Sequence, residues 1–167
     1  FDTHLSSYKS AAYNEAQARR EFIDPLFEAL GWDMFNRQGV GLAFRDVIHE
    51  DAVKIAGKHQ APDYAFRIGG RRRFFVEAKK PAINLKDEIS PAYQLRRYAW
   101  SAKLPLSILT DFEEFSVYDC RIRPTQGDKA STGRMMMLTF DQYPARWDEI
   151  AAIFSRQAVC QGSFDQY

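Results

Sequence analysis

Two apolar runs flank a Gly-Gly pair near the middle of this chain, and that arrangement leaves little freedom in the local fold. Tyr64-Ala65-Phe66-Arg67-Ile68 is rich in the aromatic and branched residues that favour extended backbone, and so is the run from Arg72 to Lys79. Gly69-Gly70-Arg71 between them reads as a tight turn, which makes the segment a β-hairpin. Pro81 ends the second run, because proline cannot donate to a central ladder. The hairpin carries Asp63, just before the first strand, back beside Glu77 and Lys79 at the end of the second. Side chains alternate along a strand, so Phe75, Glu77 and Lys79 share one face and Phe74, Val76 and Ala78 the other.

An acid on one strand and Glu-x-Lys on the next is a small kit for phosphodiester hydrolysis. Asp63 and Glu77 offer hard carboxylate oxygens suited to Mg²⁺, with Mn²⁺ able to substitute, and the backbone oxygen of Ala78 lies where it can join them. Lys79 adds a positive donor for the attacking water or for charge developing on phosphate. Lys80 points to the opposite face. The same residues also suit an exposed acid at a strand start and a surface Glu/Lys pair.

The next segment weighs against that plainer reading. Glu88 to Ala102 has helical rhythm in Ile89, Tyr93, Leu95, Tyr98, Ala99 and Ala102, with Pro91 in the first turn. Gln94 and Tyr98 are four apart and share a face. Asp63, Glu77-x-Lys79 and Gln94-x-x-x-Tyr98 together resemble the PD-(D/E)xK nuclease superfamily, in the branch with a QxxxY motif. Asn14 to Arg19, Ile23-Asp24-Pro25-Leu26 and Leu30-Gly31-Trp32-Asp33 are similar to the opening helix of nuclease domains in type I and fused type IIG restriction enzymes. Phe154 to Val159 with Gly162-Ser163-Phe164-Asp165 is similar to the segment that leaves the nuclease in those fusions. The resemblance implies a Mg²⁺-dependent DNA endonuclease yielding 3′-hydroxyl and 5′-phosphate ends. It implies catalytic roles for Asp63, Glu77, Lys79, Gln94 and Tyr98, and an acid on the first helix. Glu15 is favoured for that acid, with Arg19 one turn on, and Glu21 competes. Sequence specificity, and any need for ATP or S-adenosylmethionine, would belong to other domains.

Charge supports a nucleic-acid partner through its distribution. The net charge is only +1, yet residues 67–103 hold ten basic and three acidic side chains. Arg71, Arg72, Arg73, Lys80, Arg96 and Arg97 are therefore expected to contact the DNA backbone, with Lys86 and Lys103 nearby. Expected partners are double-stranded DNA, downstream methyltransferase, helicase or specificity domains, and a second copy for double-strand cleavage. Cys120 and Cys160 lack metal-ligand spacing and suit a reducing prokaryotic cytoplasm. No apolar run is long enough to cross a membrane. The chain opens without an initiator methionine or leader pattern, which suggests a piece of a longer protein. A silent nuclease fold that only binds DNA, and a repair-type single-strand or RNA nuclease, fit the same motifs.

The remaining segments suit an α/β restriction-endonuclease-like sandwich, a central mixed β-sheet flanked by helices. Ser10 to Leu30 reads as helical, with a break at Pro25 or a second helix starting at Asp24, turning Phe22, Leu26, Phe27 and Leu30 to the core. Val47-Ile48, Leu104 to Leu109 and Phe115 to Tyr118 read as strands, Met135 to Phe140 as an edge strand, and Ala145 to Ala158 as a closing helix. Residues 1–140 are expected to form the nuclease domain and 141–167 a helix and linker.

Overall fold

The structure, a computed structural model, describes residues 1–167 and is built on a six-stranded mixed sheet in the order β1-β4-β5-β6-β7-β8. The strands are β1 (Val47–His49), β4 (Tyr64–Ile68), β5 (Arg71–Ala78), β6 (Leu106–Thr110), β7 (Glu114–Asp119) and β8 (Arg134–Thr139). A two-stranded flap of β2 (Val53–Ile55) and β3 (Lys58–Gln60) lies between β1 and β4 in the chain. The β4–β5 hairpin forms as the sequence predicts, with Gly69 and Gly70 both at positive φ. β5 and β6 run parallel and are joined by a helical crossover. All other neighbours are antiparallel, and β8 is an edge strand, as expected.

The sheet buries both faces. On one, Phe74, Val76, Ala78, Tyr64, Phe66 and Ile108 pack against Leu26, Phe27, Ile150 and Phe154. On the other, Ala65, Phe75 and Leu109 pack against Leu95, Tyr98 and Ala99. The period-two pattern in β5 thus separates two cores. Glu77, in step with Phe75, belongs to the second face.

The helices depart from expectation in detail. A short helix α1 (Leu5–Tyr8) stands apart, and the next begins only at Glu15. Asn14 caps it, its side chain accepting from Gln17 N while the Gln17 side chain accepts from Asn14 N. From there α2 (Glu15–Ala18), a π-helical turn (Arg19–Ile23) and α3 (Asp24–Ala29) follow without a gap. Pro25 sits in the first turn of α3, where its missing N–H is harmless. The crossover α4 (Ile89–Ser101) matches the predicted helix, but Ile89 is exposed rather than in the core. The closing helix is two: α5 (Tyr143–Phe154) ends at Ser155, whose hydroxyl accepts from Ala158 N and starts α6 (Arg156–Cys160). Ile150, Phe154, Val159 and Phe164 are all buried in the larger core, and the Trp32 indole donates to Phe154 O at 2.8 Å. No helix is long and apolar enough to cross a membrane.

Candidate active site

Strand register brings the acids together. Tyr64 pairs with Val76, so continuing the antiparallel register sets Asp63 opposite Glu77 and Pro62 opposite Ala78. Opposed residues project to the same face, and both carboxylates therefore lie under α4. They interlock through the backbone: Ala78 N donates to Asp63 Oδ2 at 2.7 Å, and Asp63 N donates to Glu77 Oε1 at 2.9 Å. The N–H and C=O of a strand residue point the same way, so the Ala78 carbonyl also faces β4. The residue there is Pro62, which has no N–H to give it. Pro62 therefore leaves the Ala78 oxygen without a ladder donor, while the Ala78 N–H goes to the Asp63 carboxylate.

Lys79 follows at the strand end, its own N–H donating to Thr110 O of β6. Its charge is felt by Asp63, Glu77 and Glu15, each of which it draws downward in pKa. Gln94 and Tyr98 of α4 are joined, Gln94 Nε2 donating to Tyr98 Oη at 2.6 Å, and the Tyr98 hydroxyl feels the charge of Glu77 and Asp63. Glu15 at the start of α2 senses Asp63, Lys79 and Glu50. Glu21 points elsewhere and accepts from the Tyr13 hydroxyl at 2.7 Å.

Burial governs the electrostatics. It pushes the Glu77 carboxyl up to about 8, and the nearby charge of Asp63 adds to the rise. Asp63 and Glu15 are raised too, again chiefly by burial. Arg19 offsets part of this: its Nη1 lies 3.7 Å from Asp63 Oδ1 and its Nη2 donates to Asp63 O at 3.3 Å. The guanidinium also lies 4.5 Å over the Tyr64 ring, and its Nε donates to Tyr64 Oη at 3.1 Å. Tyr64 in turn donates to buried Asp24 at 2.5 Å. Sequence reasoning missed this chain from Asp24 through Tyr64 and Arg19 to Asp63, because nothing in an apolar strand marks one tyrosine as a relay. The π-turn that begins at Arg19 is the one local irregularity that points to it.

The donor set suits a hard cation. No three His, Cys, Asp or Glu side chains converge closely enough to hold one by themselves. Buried Glu77 and half-buried Asp63, both with raised pKa values, and a carbonyl without a ladder partner are oxygen ligands short of positive charge, which fits Mg²⁺ or Mn²⁺.

The basic residues divide. Arg71, Arg72 and Arg73 lie at the hairpin turn, the far end of β5 from Glu77. Arg72 is already paired with Asp51 at 2.6 Å, while Arg71 shares an open groove with Arg67 and Arg72. Lys80 is half-buried and Arg97 stacks on Tyr93. Arg96 corrects the expectation outright. It is 1% exposed, its Nη1 donates to Asp128 at 2.5 Å, and it holds the loop after β7 instead of meeting a phosphate. Helical spacing explains the error, since 92, 95, 96 and 99 form the buried stripe of α4.

No protein-family model matches the chain. It is 39% identical over 167 residues, 99% of its length, to the type II restriction enzyme and methyltransferase RM.Eco57I of Escherichia coli. The chain spans 17% of that protein. Its fold is similar to part of the type IIG restriction endonuclease BpuSI, with a TM-score of 0.50 and 14% identity, over 86% of this chain and 17% of that one.

Proposed function

We propose, taking its likeness to a fused restriction-modification enzyme as the premise, that this chain is a PD-(D/E)xK endonuclease module that cleaves DNA with a divalent metal. The observation that carries the reading is the interlocked pair of Asp63 and Glu77 beneath α4, with Lys79 one residue beyond the free Ala78 carbonyl. Asp63, Glu77 and the Ala78 oxygen would hold Mg²⁺, which when bound supplies Lewis-acid polarisation of the phosphodiester. Lys79 orients the attacking water and offsets the negative charge that grows on the phosphate. Gln94 and Tyr98, already joined, position Lys79 or the DNA backbone. Arg19 keeps Asp63 aimed and Glu15 completes the acid cluster. A bond forms from water oxygen to phosphorus and the bond to the 3′ oxygen breaks, leaving a 3′-hydroxyl and a 5′-phosphate.

Double-stranded DNA is the proposed substrate. Methylation and site recognition are assigned to other parts of a longer protein, and cutting both strands to a pair of copies. The test is nicking of a supercoiled plasmid with Mg²⁺ or Mn²⁺, comparing the native chain with Asp63→Ala and Lys79→Ala. Cleavage should be abolished in Asp63→Ala and by chelator, and slowed about 10²–10³-fold in Lys79→Ala. Cleavage that survives both substitutions would overturn the site. An inert chain that still binds Ca²⁺ through Asp63 would point to gating; one that binds none, to a silent fold.

A further inference from the structure

Beside the carboxylate cluster, α4 presents a second set of residues that this mechanism leaves unused. Tyr93, Arg97 and Trp100 follow at i, i+4 and i+7, about 100° around the helix from Gln94 and Tyr98. Two open cavities, of about 620 and 360 Å³, meet along Trp100 and Ser101. Trp100 is 41% exposed and lines both of them, so a flat aromatic surface is open to the groove.

The lining is one-sided in charge. Arg97, Lys103, Arg121 and Arg123 border the cavities and no acidic residue does. Arg121 is spent on Asp119, with contacts of 2.9 and 2.7 Å, but Arg97, Lys103 and Arg123 have no acidic partner. The Arg97 guanidinium lies 5.7 Å over the Tyr93 ring and Arg121 lies 5.8 Å over Tyr167, so cations and aromatic faces alternate along the groove. A partner that satisfies both must be a polyanion with flat apolar faces.

We propose that this groove binds a single DNA strand with unpaired bases, stacking a base on Trp100 and placing phosphates at Arg97 and Arg123. A duplex keeps its base faces covered, whereas a separated strand offers them to an aromatic platform. The choice of DNA rests on the nuclease reading above. The groove deepens that reading by making the substrate a duplex with a locally opened strand, held on the helix that also carries Gln94 and Tyr98.

Titration of a short, fluorescein-labelled oligothymidylate in EDTA, read by fluorescence anisotropy, tests this without cleavage and without using Trp100 as the reporter. Binding should raise the anisotropy and weaken about tenfold in Trp100→Ala, with Trp100→Phe retaining most of the affinity. An abasic strand of equal length should bind about tenfold more weakly. Arg97→Ala with Arg123→Ala should flatten the slope of log affinity against log salt by about 1.4. Equal affinity for native and Trp100→Ala chains, equal affinity for abasic and normal strands, or no oligonucleotide binding would each overturn the groove. A chain that nicks plasmid but fails these titrations keeps the nuclease reading. One that passes them without nicking keeps the groove as a binding site and loses the nuclease.

Discussion

The Asp63 carboxylate accepts from a backbone amide and faces a guanidinium, yet burial still raises its pKa, and burial raises Glu77 beside it to about 8. Between its unfolded value of 4.5 and about 8, Glu77 keeps a proton in the folded chain that the unfolded chain has lost. Stability from this group is therefore fully present below about pH 4.5 and is lost as pH rises through 8. Buried Asp111, whose Oδ2 has no partner, is likewise pushed up to about 8 by burial and acts in the same direction. The melting temperature of the cation-free chain should fall from pH 5 to pH 9, and less so in Glu77→Gln with Asp111→Asn; a melting temperature that rises over that range would contradict the burial argument. Cation affinity should move oppositely. Ca²⁺ binding, measured calorimetrically, should tighten over the same window by about tenfold per pH unit for each proton displaced. Asp63→Asn should remove Ca²⁺ binding, whereas Lys79→Ala should leave it intact and slow cleavage by about 10²–10³-fold.

At the scale of elements, α4 does three things with three stripes, and only part of that is visible in sequence. Its buried stripe includes Arg96, whose pairing with Asp128 anchors the loop before β8. Arg96→Ala removes a side chain buried in the core together with its bond to Asp128, and should lower resistance to chemical denaturation while leaving the affinity for duplex DNA at the native value. A loss of DNA affinity with unchanged stability would restore Arg96 to the phosphate-binding set. The hairpin, α4 and the edge strand were legible because alternation, a Gly-Gly turn and a 3.6-residue rhythm are local signals. Arg96 was misread because a cationic residue beside Arg97 looks like a basic patch until the helix is set against the sheet. The relay from Asp24 to Asp63 was hidden for the same reason: its members are widely separated in the chain and meet only when α3 packs on β4. The Ser155 break was missed because a serine between two apolar stretches can cap a new helix or ride on an old one.

Across the whole molecule, the two cores share one sheet, and the larger is closed by residues 141–167, about the last sixth of the chain. Removing residues 141–167 would strip Tyr143, Ile150, Phe154, Val159 and Phe164 from that core. Each buried side chain of this size contributes about 1.5–3 kcal/mol, so residues 1–140 alone should fail to melt cooperatively by circular dichroism. A cooperative transition in that fragment would mean the C-terminal helices are an accessory. The sheet also ends in an instructive place. Pro62 stops the β4–β5 ladder one pair short of where β5 ends, which leaves the Ala78 carbonyl without a ladder donor, while the Ala78 amide is held by the Asp63 carboxylate. On the proposed reading the site sits at a seam left unsewn, where a non-proline residue would add a stitch, tighten the sheet and close off the oxygen offered to the cation.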